Sequence, residues 1–167
     1  MEFFRDLVRW VSSGEDRESI ESRNALERQV FAVPLDDAKN EVARYLSDPA
    51  KFIVERAQTG LVLPPSVDTL PPLVGEFFAA YDSVQETEGF VWLSRANIAR
   101  SEIDGQLIRI GLDAEHAEVV VKAGAEDVYV TDGTEAKTGD GSIESYLTIY
   151  HFLLFQVRFF HPTDPAR

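Results

Sequence analysis

The sequence predicts an α+β fold, a small antiparallel sheet packed by N-terminal helices and a buried C-terminal helix. Three observations carry this expectation. Most of residues 1–81 place apolar side chains at helical spacing. From Asp82 the pattern shortens to apolar runs of a few residues, separated by turn formers such as Asp104-Gly105 and Asp132-Gly133. Residues 146–160 then return to helical length and are apolar almost all round. Helices, then strands, then a helix is the order of an α+β domain, not of a βαβ alternation.

In chain order, Phe3, Phe4, Leu7, Val8 and Val11 recur at helical spacing beside Trp10, so an amphipathic helix is expected first. Residues 12–24 are polar, with Ile20 as the one large apolar side chain, and read as a linker or a solvated helix. Asp36 and Asp37 offer N-caps for a helix through Val42, Tyr45 and Leu46. Ser47-Asp48-Pro49 reads as a restart, with proline at the first helical position. That helix would carry Phe52, Ile53 and Ala57 and stop at Gly60. Four prolines in residues 61–72 demand a loop, and Pro71 or Pro72 can open the next helix, which presents Val74, Phe77, Phe78 and Tyr81.

Residues 90–93, 107–110, 117–121 and 128–130 are the expected strands. No helix-length segment separates the last three, so they form a local antiparallel meander. Ser142 is the expected cap of the final helix, which runs through Tyr146, Leu147, Tyr150, Leu153, Leu154 and Val157. Its all-round apolarity requires cover on two sides, from the N-terminal segment or from the second subunit of a homodimer. The expected organisation is a helical extension over 1–48, an α+β domain over 49–161 and a tail over 162–167.

Charge bounds the partners. The chain has 16 Lys+Arg against 29 Asp+Glu, a net charge of −13, with a pI near 4.6. Phosphate backbones and anionic membrane surfaces are bound through Lys and Arg, so direct binding to nucleic acid or membrane is not expected. A basic protein partner is the complementary expectation. The acids concentrate late in the chain, at Asp113, Glu115, Glu118, Glu126, Asp127, Asp132, Glu135, Asp140 and Glu144, opposed in that stretch by Lys122 and Lys137 alone. Many fall in turns, so this run is the expected partner-facing surface.

Catalytic and metal signatures are missing. The chain has no cysteine, which excludes disulfides, thiolate nucleophiles and Cys-based zinc sites. His116, His151 and His161 form no i, i+3 or i, i+4 pair for a metal. Gly139-Asp140-Gly141-Ser142 is not a nucleophile elbow, lacks the lysine of a phosphate loop, and would repel phosphate through Asp140. A calcium loop starting at Asp132 would need Gly sixth and Glu twelfth, where Lys137 and Ile143 stand. No enzyme activity, metal or cofactor is therefore expected. Glu2, Arg5, Asp6 and Arg9 interrupt any signal-peptide core, and a cytoplasmic protein is expected.

Several short segments, in order, resemble the SUKH superfamily. They are Phe52-Ile53-Val54-Glu55-Arg56-Ala57-Gln58-Thr59-Gly60-Leu61-Val62-Leu63-Pro64, Glu76-Phe77-Phe78-Ala79-Ala80-Tyr81, and residues 90–93 with Ser94 and Ile98. Ile110-Gly111-Leu112-Asp113, Val128-Tyr129-Val130 and Ser142-Ile143-Glu144-Ser145-Tyr146-Leu147 complete the set, which spans about residues 50–150. Asp82-Ser83-Val84 stands where the family often has Asn-Gly-Gly. The resemblance implies a small sheet packed by helices and no shared catalytic residues. It also implies a protein-binding role: many bacterial members are immunity proteins that block a secreted toxin, often a nuclease, and others are regulatory or scaffolding domains.

Overall fold

The computed structural model describes residues 17–89, 91–131, 145–146 and 148–162. The helix expected at the N-terminus, with Phe3, Phe4 and Trp10, lies outside the described residues, as do Phe90, the Ser142 cap and Leu147. The fold is α+β, and among the described residues it has four helices and eight strands. Its elements are α1 (Arg17–Phe31), α2 (Leu35–Leu46), β1 (Phe52–Arg56), α3 (Pro72–Ala80), β2 (Tyr81–Glu86) and β3 (Val91–Ser94). A 3-10 turn (Arg95–Asn97), β4 (Ala99–Arg100), β5 (Leu107–Asp113), β6 (Glu118–Lys122), β7 (Val128–Val130), β8 (Ser145–Tyr146) and α4 (Ile149–Phe160) complete it.

The strand order is β1-β2-β3-β5-β6-β7-β8, and every pairing is antiparallel. β3 and β4 share one edge of β5, opposite Gly111–Asp113 and Ile108–Arg109 respectively, with the 3-10 turn between them. β5, β6 and β7 form the expected meander.

The helix expected from Asp48-Pro49 is absent. Asp48 instead closes a single turn: its carboxylate accepts from Ala50 N–H at 2.9 Å and its carbonyl from Lys51 N–H at 3.0 Å. Phe52, Ile53 and Val54 then run extended as β1 and pair with β2. This strand also stands where the family resemblance implies a helix. Aromatic and β-branched side chains in succession favour a pleated surface, and the Asp-Pro signal is satisfied by one turn.

Two other boundaries move. α2 starts after Pro34, and Asp36 and Asp37 lie in its first turn, where acids favour the positive helix end, instead of capping it. Tyr146 lies in β8, opposite Val128, and α4 is capped by Thr148, whose hydroxyl accepts from His151 N–H at 3.1 Å.

α4 lies at the centre of the core. Ile149, Phe152, Leu153, Leu154, Phe155 and Val157 are all buried. α1 and α2 pack against this helix, and its apolar residues share one cluster with Phe52, Val84, Leu93, Ile110, Val119 and Val128 of the sheet. The cover required over the last helix thus comes from α1 and α2. Two devices fix it. Arg158 forks onto Glu41 of α2, with Nη2–Oε2 at 2.6 Å and Nε–Oε1 at 3.2 Å. The guanidinium of Arg23 on α1 lies over the rings of Phe155 and Phe159, at 5.1 and 5.3 Å. Val30 of α1 and Ala38, Val42, Tyr45 and Leu46 of α2 belong to the same core as the sheet, so the boundary placed at 48 falls inside one packed unit.

Candidate functional site

A strand alternates its side chains between two faces, so one register row is either all inward or all outward. Phe52, Val84 and Leu93 point inward and are buried. Ile53, Gln85, Trp92 and Leu112 are paired in register across β1, β2, β3 and β5 and form an outward row. Ile53 is 57% exposed and Trp92 43%. Glu55 stands on the same face of β1, two residues from Ile53, and is exposed.

Among the described residues, much of the outer face of β5, β6 and β7 is covered, with Lys122 exposed at its end. Ile103 packs on Leu107, Val120 and Tyr129 over β5, β6 and β7. Beside them Glu118, which opposes Leu112 in register, turns under the 101–106 loop and is only 5% exposed. Its carboxylate accepts a short hydrogen bond from the Ser101 hydroxyl and one from Glu102 N–H at 3.2 Å, and lies 3.6 Å from Arg109 Nη1. The open face is therefore the β1–β3 half of the sheet, with Trp92 at its centre.

Gly111 sets how closely β3 and β5 approach. A Cβ there would lie 2.5 Å from the Trp92 carbonyl oxygen and 2.7 Å from Leu93 Cδ2. The strand also bulges between Arg109 and Gly111, so Ile110 is an extra residue opposite β6.

The acids expected to face a partner do not behave alike. Glu118 is buried and satisfied from within, which removes it from any partner surface. Asp113 closes the β5–β6 turn, accepting from Glu115 N–H at 2.8 Å and Ala117 N–H at 2.9 Å. Glu126 accepts from Leu73 N–H at 3.1 Å and so caps the start of α3. Asp127 is half-buried and accepts from the Tyr129 hydroxyl at 3.3 Å. Burial, then the Asp127 carboxylate, pushes the Tyr129 phenol above its ordinary pKa. Glu115 is exposed. Asp132, Glu135 and Asp140 lie outside the described residues. Glu55 and Glu102, the latter with its side chain 85% exposed, are surface acids that the charge run did not include.

Two further constellations come from distant parts of the chain. Glu86, at the inner end of β2, is fully buried, accepts from Glu88 N–H at 3.0 Å, and lies 3.2 Å from His161 Nε2. His161 Nδ1 is 3.9 Å from Glu88. These donors lie within 4.8 Å of one another and have the chemistry of a cation-binding set. The same contacts also serve as a clasp between β2 and the end of α4.

The second is a cleft of about 280 Å³ bounded by α2, α3 and α4, at whose base Tyr150 lies. Lys39 Nζ bridges its mouth to both Glu76 oxygens, at 2.9 and 3.1 Å, and lies 5.3 Å from the centre of the Tyr150 ring. Burial, then Glu76 and Tyr81, pushes the Tyr150 phenol up to about 12.

Little of this was visible in the sequence. Residues 90–93 read as uniformly apolar, so nothing marks Trp92 as the outward member, and Ile53 falls in the helix expected from Asp48-Pro49. Lys39 and Glu76 carry no spacing signal, because packing of α2 on α3 brings them together. No protein-family model matches the chain, and neither a curated protein nor a solved structure matches it.

Proposed function

We propose that the protein is a non-catalytic protein-binding domain of the immunity type, which occludes the active site of a basic toxin partner. The observation that carries this reading is the outward row of Ile53, Gln85, Trp92 and Leu112, with Ile53 and Trp92 exposed. An exposed tryptophan between Gln85 and Leu112, with Ile53 one strand further on, fits an interface centre, where large rigid side chains supply most of the affinity. Charge supports a basic partner. The chain carries −13, and the exposed acids Glu55, Glu102 and Glu115 add to it at the surface. A nuclease is basic where it holds phosphates, so an acidic surface around an apolar centre complements such a groove. The resemblance to the SUKH superfamily supports the same class. Asp127, Asp132, Glu135 and Asp140 join Glu115 in steering the partner.

The test is a pull-down with the tagged protein, and the expected partner is a basic toxin encoded immediately upstream of it. Wild type should retain the toxin at equal stoichiometry. Trp92→Ala combined with Ile53→Ser, which leaves the inward row untouched, should weaken retention at least about tenfold, the loss of one interface anchor. Equal retention by the variant would remove the sheet face from the interface.

A further inference from the structure

We propose that Glu86, Glu88 and His161 bind a divalent transition-metal ion of the zinc class, which pins the end of α4 to the turn between β2 and β3. None of the three belongs to the outward row of the sheet, and the proposal does not depend on the toxin-binding reading.

The backbone carries the three donors to one place. Glu86 ends β2 opposite Phe52, with its side chain turned inward and fully buried. Glu88 follows in the turn, which Gly89 closes by donating its N–H to the Glu86 carbonyl at 2.9 Å. The Glu88 side chain is half-exposed. His161 stands just past the last residue of α4, where its N–H donates to the Val157 carbonyl at 2.8 Å and its ring is partly buried. The set thus has a buried floor and a solvent side through which an ion can enter. Glu86 and His161 are 75 positions apart, so the histidine spacing in the sequence gives no sign of it.

The distances suit one ion. Zinc holds an imidazole nitrogen and a carboxylate oxygen at about 2.0 to 2.2 Å, so two ligands in a tetrahedral array stand about 3.3 to 3.6 Å apart. Glu86 Oε1 and His161 Nε2 are 3.2 Å apart, close to that separation. The other Glu86 oxygen accepts from Glu88 N–H at 3.0 Å, which fixes the carboxylate with Oε1 toward the ring. Glu88 Oε1 lies 3.9 Å from His161 Nδ1, and one donor atom from each residue lies within 4.8 Å of the other two. Rotation of the half-exposed Glu88 side chain closes the remaining distance.

The donor types select the ion. Calcium and magnesium take oxygen ligands, whereas an imidazole beside carboxylates suits zinc and its transition-metal neighbours. Two carboxylates and a neutral imidazole hold two negative charges, which one divalent ion balances. The site also lies at the C-terminal end of α4, where the helix carbonyls favour positive charge. Three protein ligands leave a fourth position for water.

The experiment uses the full chain, stripped with a chelator, and Zn²⁺ alone as the probe, followed by calorimetry and thermal unfolding. One ion per chain should bind and raise the midpoint, because it binds the folded state. Mg²⁺ and Ca²⁺ at the same concentration should leave the midpoint where it is. His161→Gln and Glu88→Gln should each weaken Zn²⁺ at least about tenfold, the low end for changes around a metal ligand. If His161→Gln also lowers the metal-free midpoint by loosening the clasp, Glu88→Gln, on the solvent side, decides. His116→Ala, at the β5–β6 turn, should bind as wild type does. The absence of Zn²⁺ binding, an equal response to Mg²⁺, or equal affinity in Glu88→Gln would overturn the proposal. Loss of binding in His116→Ala instead would show an adventitious ion only and overturn it as well.

Discussion

His151 Nε2 donates to the backbone carbonyl of Val33 at 2.7 Å, across 118 positions of the chain. A carbonyl only accepts, so the proton is on Nε2, and in the neutral ring Nδ1 accepts from the Thr148 hydroxyl at 2.8 Å. The same Thr148 oxygen caps α4. One imidazole thus joins the chain just after α1 to the first turn of α4 and fixes the layer that covers the core.

Removing that link should be expensive. His151→Ala leaves a carbonyl unpaired and a cavity beside the helix cap, so it should cost about 2 to 4 kcal/mol. Denaturant unfolding reads the change. An unaltered midpoint would mean that α1 is held by its apolar contacts alone.

Gly111→Ala should destabilise by about 1 to 3 kcal/mol, as other overpacked sites do. The clash is with the Trp92 carbonyl, which belongs to the backbone of the neighbouring strand and cannot swing aside. β3 must therefore shift. Thermal unfolding measures the loss, and near-ultraviolet circular dichroism should report an altered Trp92 environment. A midpoint equal to wild type would show that the two strands separate at little cost.

Glu118→Ala strands the Ser101 hydroxyl and removes a carboxylate from Arg109, so a loss of about 2 to 4 kcal/mol is expected. Glu118→Gln keeps the shape and should cost less. Neither change should alter partner affinity once folding is corrected for, because this side chain faces the 101–106 loop. A specific loss of binding by the folded Glu118→Gln variant would return the residue to the interface.

Tyr150 gives a signed dependence on pH. Burial, then Glu76 and Tyr81, pushes its phenol up to about 12 from an ordinary value of 10.0. The folded state therefore holds the proton more tightly than the unfolded chain. The associated stability is present below about pH 10 and is lost as pH rises through the folded value. Phenolate absorbance should show Tyr150 titrating late, beside Tyr45 and Tyr129, whose phenols burial also raises, and Tyr150→Phe should remove the step near 12. Its persistence in the variant would assign it to another tyrosine.

The elements legible in the sequence are those that rest on period. Val74, Phe77 and Phe78 at helical spacing, and Val119, Val120 and Val121 between turn formers, are strong local signals. β2 was not legible. Its sequence Tyr-Asp-Ser-Val-Gln-Glu is polar, it follows α3 with no intervening loop, and pairing with β1 and β3 makes it a strand. Asp48-Pro49 gave a true turn signal that the chain uses for one turn only. The open face and the cleft were beyond reach for a different reason: each is a juxtaposition of residues from separate elements. Charge alone also could not separate Glu118, buried and bonded, from Glu115, exposed.

The most direct test of partner binding through charge and the open face is the association rate with the purified toxin at low and high salt. Steering by −13 predicts a fast rate that falls steeply as salt is added. The triple variant Asp127→Asn, Asp132→Asn, Glu135→Gln should associate more slowly at low salt and lose much of that dependence. A rate that is independent of salt, and equal for wild type and the triple variant, would contradict the claim that the acidic surface meets a basic partner.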